Sequence, residues 1–139
     1  MNVKTLIGGL VAGVTAFLLG WVIYGMLLMD YFTNNMVKYE GLTKDPMEMW
    51  AMVVSNLALG LLLAYVFNGS GVKTVANGIA SGAIFFGLFS VGVDMMFYAQ
   101  MNLFSLQLIC VDVLASLVMG ALVGAVLGWW FGRGQTAAA

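Results

Sequence analysis

The sequence predicts an all-α fold, a four-helix transmembrane bundle running up-down-up-down. Three observations carry that prediction. Hydrophobic residues make up 63% of the 139-residue chain and charged residues only 8%, against about 25% charged in soluble domains. Lys4 and Asp30 bracket 25 residues without a charge, and Lys73 and Asp94 bracket another 20. A hydrocarbon core about 30 Å thick takes about 20 helical residues to cross, and short turns between four such spans use up the chain. Residues 1–139 therefore read as a single domain with spans near 5–29, 46–67, 74–97 and 103–131.

Span one starts at Thr5. A secretory signal would have an apolar core of about 7–15 residues, whereas here the run continues to Met29, so it reads as a retained helix. Beyond Asp30, the spacing of Tyr31, Phe32, Met36 and Tyr39 predicts a helix that continues into the interface and stops near Gly41. Span two carries the clearest start signal, Asp45-Pro46-Met47-Glu48. It offers a capping carboxylate, proline at the first helical position and glutamate at the third. Trp50 follows at headgroup depth. Asn68-Gly69-Ser70-Gly71 closes that span. Span three runs from Lys73 towards Asp94 or Tyr98. A turn at Gln100-Met101-Asn102 leads into span four, which ends at Trp129 and Trp130.

Lys4, Lys73 and Arg133 fall on one side of such a bundle with no acid. Lys38 and Lys44 fall on the other with Asp30, Glu40, Asp45, Glu48 and Asp94. Counting Lys and Arg, with the amino terminus added to the three, predicts both termini in the cytoplasm. The net charge of −1 offers no basic surface for nucleic acid.

Small residues recur at four-residue intervals. Span four has Ser116, Gly120, Gly124, Gly128 and Gly132; span two has Asn56, Gly60, Ala64 and Asn68. Gly9 and Gly13 open span one, and Gly78 and Gly82 open span three, a weak likeness that hints at an internal repeat. Such rows let helix backbones approach closely where lipid removes the hydrophobic force. They serve packing within the bundle, or a homo-oligomer surface or contact with another membrane subunit.

Asp112 is the most informative single residue. It lies about nine residues into span four, roughly 13 Å along the axis, where a carboxylate costs on the order of 3 kcal/mol. Asn56 reaches a comparable depth from the same side, and Tyr24, Ser55 and Gln107 belong to the same half, with Asp94 and Asp30 nearer the surface. The functional reading is an outward-facing polar pocket for a proton, cation or small polar ligand, with Asn56 beside Asp112. The plainer reading is an Asp112–Asn56 hydrogen bond that sets helix register.

Other chemistry is thinly represented. Histidine is absent, Cys110 is the only cysteine, and no nucleophile and base pair up in the sequence. Nine methionines gather towards the same side, from Met26 to Met101. Thioethers suit Cu(I), but without histidine they read as flexible filler. No metal or cofactor is expected, and no enzyme activity.

Gly20-Trp21-Val22-Ile23-Tyr24-Gly25, the run Lys44-Asp45-Pro46-Met47-Glu48-Met49-Trp50, and Asp94 and Asp112 resemble short bacterial four-helix membrane proteins of unknown function. A broader family of that kind has a Gly…Trp-Tyr signature in its first helix; this chain keeps Gly20 and Tyr24 with Ile23 in the Trp position. The resemblance implies a bacterial inner (cytoplasmic) membrane and no particular activity. Two functions are expected from these readings. One is a non-enzymatic structural or accessory subunit acting through helix packing. The other is a small proton, cation or solute transporter or channel-like protein.

Overall fold

The computed structural model describes residues 2–133. It contains five helices: α1 (Val3–Val22), α2 (Met29–Asn35), α3 (Met49–Gly69), α4 (Val75–Gln100) and α5 (Leu106–Gly132). A π-helical turn, Ile23–Leu27, continues α1, and the Leu28 amide donates to the Ile23 carbonyl five residues back. Four segments are long and apolar enough to cross a membrane: Val3–Leu27, α3, α4 and α5. No more than a third of any of their apolar stretches is buried inside the protein. The remaining apolar surface needs lipid, and the chain is a multi-pass membrane protein.

Polar side chains just outside the helices set three of the starts. Asn2 Oδ1 accepts from the Thr5 amide, Thr74 Oγ1 from the Asn77 amide and Ser105 Oγ from the Leu108 amide. Each supplies an acceptor for a donor the first turn cannot satisfy itself.

Three boundaries differ from the sequence reading, one of them the start of α5, at Leu106 and not Leu103. The Asp45-Pro46-Met47-Glu48 cap does not form: α3 begins at Met49, and no side chain caps it. The Glu48 carboxylate is taken instead by the Lys44 ammonium at 3.0 Å and the Trp50 indole N–H. The extension of span one stops early as well. α2 ends at Asn35 and Met36 is extended, so Gly41 sits in a loop turn with φ +76°, a left-handed value that suits glycine.

The helices pair closely in two couples. α1 lies on α3 through Gly9, Gly13 and Gly60. A methyl group added at Gly13 would sit 2.7 Å from the Leu57 Cα, and one at Gly9 2.8 Å from the Leu61 Cα. α4 lies on α5 through Gly78 and Gly82 against Gly120, Gly124 and Gly128, where an added methyl group would run into backbone carbonyls. In both couples residue numbers rise on one helix as they fall on the other, so the partners are antiparallel. Close approach of this kind maximises dispersion contact between helices in lipid.

The couples join chiefly through α1 and α5, and α3 makes little contact with α4 or α5. The shared core is Leu63, Phe67, Val123, Leu127 and Phe131 with Ala12 and Ala16. At one end Lys4 Nζ donates to the Phe131 and Arg133 carbonyls, and Trp130 Nε1 donates to the Lys4 carbonyl.

Candidate functional site

Asp94 lies six residues before the end of α4, and Asp112 six residues after the start of α5. The turn between the helices brings them level, each about 9 Å from its helix end at 1.5 Å per residue. Both helices are about 40 Å long, more than the hydrocarbon needs. Asp112 is thus nearer its helix end than the sequence spacing predicts, because α5 starts at Leu106 and not at Leu103.

Ser90 joins the two acids. Its Oγ lies 2.8 Å from Asp112 Oδ2 and 3.0 Å from Asp94 Oδ2. Ser90 is buried, and both aspartates are half-buried. Ser116, one turn beyond Asp112 on the same face, is buried and lies 3.3 Å from the Tyr24 hydroxyl. That hydroxyl also points at the Asp112 carbonyl at 3.5 Å. Tyr24 reaches them from the π-helical turn of α1, where the widened backbone re-aims its side chain. Its ring packs edge-on against Phe32 of α2.

Two cavities adjoin the pair. One of about 40 Å³ lies on the loop side, walled by Phe32, Phe104, Leu108 and Ile109. One of about 190 Å³ lies deeper, between Leu59 of α3, Phe86 of α4 and Met119 of α5. Asp94 and Asp112 line both. Among the described residues no Lys or Arg pairs with either acid; the single ion pair is Lys44–Glu48. Further along the α4–α5 seam the contact is backbone on backbone at Gly82, Gly120 and Gly124.

Of the expected pocket residues, the structure gathers Asp112, Asp94 and Tyr24. Asn56 is elsewhere: its amide donates to the Met52 carbonyl of its own helix at 2.8 Å, and its backbone faces Gly13 of α1. Neither the pocket nor the register bond with Asp112 includes it, because α3 packs chiefly on α1 and makes little contact with α5. Ser55 also donates to the Met52 carbonyl and is exposed. Gln107 and Asp30 are exposed on α5 and α2. Ser90 escaped the sequence reading, and Ser116 was assigned only to packing. The signal was present in the spacing: Ser90 precedes Asp94 by four residues and Ser116 follows Asp112 by four, so each hydroxyl shares a helix face with its acid.

No family model, curated protein or solved structure matches this chain.

Proposed function

We propose that this chain is a small ion carrier of a bacterial cytoplasmic membrane, in which Asp94 and Asp112 share a proton or clasp a small monovalent cation. One observation carries the reading, the Ser90 hydroxyl held between two carboxyl groups. A serine hydroxyl has one proton and two acceptor positions. It can donate to one carboxylate only. The second bond forms when the other carboxyl carries a proton and donates it to Ser90 Oγ. The row carboxyl–Ser90–carboxylate then holds one negative charge and one exchangeable proton, and a monovalent cation in place of that proton keeps the charge the same. Two bare carboxylates this close and half-buried would repel one another strongly.

A carrier fits better than an open pore. Beyond the deeper cavity the α4–α5 seam is closed by touching backbones, so passage requires movement. The α1–α3 and α4–α5 couples are suited to it, since α3 barely touches the second couple. Rocking of one helix group against another around a fixed site is a common transport motion.

The test uses purified protein in liposomes with a pH-sensitive dye inside and an imposed proton or sodium gradient. Wild type should dissipate the gradient, and Asp112→Asn and Asp94→Asn should not, although both still fold. Infrared difference spectra should show a protonated carboxyl band in wild type that Asp112→Asn removes. Wild-type flux no faster than protein-free liposomes, with no such band, would overturn the reading. The extensive apolar surface left on every helix favours a second reading, a non-enzymatic accessory subunit. That reading gains if flux is absent and a partner subunit co-purifies.

A further inference from the structure

The end of the molecule opposite the acid pair carries Lys4, Lys73 and Arg133. All six acids, Asp30, Glu40, Asp45, Glu48, Asp94 and Asp112, lie at or towards the other end. Lys4 is anchored by its two carbonyl bonds, which leave one N–H without a partner among the described residues. Lys73 is exposed beside it and forms no ion pair among the described residues. A pocket of about 110 Å³ between them is lined by Asn68, Gly71, Phe67 and Val72. Phe67 and Val72 are also walls of a much larger cleft of about 500 Å³ between α3 and α4. That cleft descends along Ile84, Phe85 and Phe89 and has Ser70 at its mouth. Its volume lies within the range of about 300–1,000 Å³ typical of ligand sites.

We infer that the α3–α4 cleft is a binding site for one anionic phospholipid. An acyl chain lies against Phe85 and Phe89, and the phosphate of the headgroup meets Lys73, with Lys4 and Ser70 beside it. Cations without acids at the mouth of an apolar interhelical cleft match an anionic headgroup on an acyl chain. A second copy of the chain is a poorer fit, because symmetric docking on this face would bring Lys4, Lys73 and Arg133 of both copies together. The inference is independent of the carrier reading.

The experiment takes the full chain in a neutral detergent and follows binding by native mass spectrometry and thermal stability. Dioleoyl phosphatidylglycerol should bind about fivefold or more tighter than dioleoyl phosphatidylcholine, the effect of one cation near a headgroup. Lys73→Gln should lower phosphatidylglycerol binding about fivefold and leave phosphatidylcholine unchanged. Ser81 also lines the cleft; Ser81→Phe, which fills it, should abolish the preference, and circular dichroism should show its helices intact. Dihexanoyl phosphatidylglycerol and inorganic phosphate, which keep the charge and lack the long chain, should bind weakly. Equal binding of the two dioleoyl lipids would overturn the inference. So would short-chain lipid binding as tightly as long, or a dimer in phosphatidylcholine nanodiscs that phosphatidylglycerol fails to dissociate.

Discussion

Ser90 occupies the position on which the acid pair depends. Removing its hydroxyl with Ser90→Ala takes away one bond across the α4–α5 seam, to Asp112, and one within α4, to Asp94. Interhelical hydrogen bonds in membranes average about 0.6 kcal/mol and reach about 1.7, and the upper part of that range is expected here because two acids lose their shared partner. Tyr24→Phe should cost less, since its contacts are longer, at 3.3 and 3.5 Å. Thermal unfolding in detergent would rank the two, and a larger loss for Tyr24→Phe would contradict the bonding order described. Glu48 offers a pH-dependent counterpart outside the spans. The Lys44 ammonium first, and the Trp50 indole second, hold its carboxyl below the ordinary glutamate range. A lowered value means that the interaction is present above the unfolded carboxylate range and is lost as pH falls through the folded one. The pair is exposed, so global stability should scarcely change. The Trp50 fluorescence step that Glu48→Gln eliminates should fall at lower pH than a free glutamate titrates.

At the scale of the helix, glycines differ by what faces them. Gly82 and Gly124 meet backbone across the α4–α5 seam, whereas nothing lies within 4 Å of a methyl group added at Gly92. Gly82→Leu should therefore separate α4 from α5 and lower the melting temperature sharply. Gly92→Ala should be neutral or stabilising by up to about 1 kcal/mol through helix propensity. Similar melting shifts for the two would remove the seam as the explanation. The helices themselves were legible, because uninterrupted apolar length is a strong signal: expected spans of 74–97 and 103–131 compare with Val75–Gln100 and Leu106–Gly132. The start of α3 differs because the Glu48 carboxylate has a second use. Bonding to nearby Lys44 and Trp50 competes with bonding to amides, and residue types alone do not decide between them.

Across the whole molecule the apolar surface dominates behaviour. Trp21, Leu27, Tyr65, Leu88 and Leu114 are each at least 60% exposed, so lowering detergent below its micelle concentration should precipitate the protein. Dispersed monomers in plain buffer, by sedimentation, would contradict lipid as its solvent. The whole-molecule arrangement was also where the candidate site was least legible. Asp112, Asp94 and Tyr24 stood out singly as polar groups in apolar helices. Their grouping depends on which helices touch, and depth alone made Asn56 an equal candidate. Its exclusion follows from α3 packing against Gly9 and Gly13 of α1, a choice of neighbour that periodicity does not encode.

The wide turn at Ile23–Leu27 holds one residue more than an ordinary helix would use to climb the same height. Deleting a residue there would return that turn to ordinary helix, leaving the glycine contacts earlier in the rod in register while changing the aim of the Tyr24 side chain. The reach of Tyr24 to Ser116 is thus governed by chain length at this point, a property that an insertion or deletion alters and that no exchange of side chains reproduces.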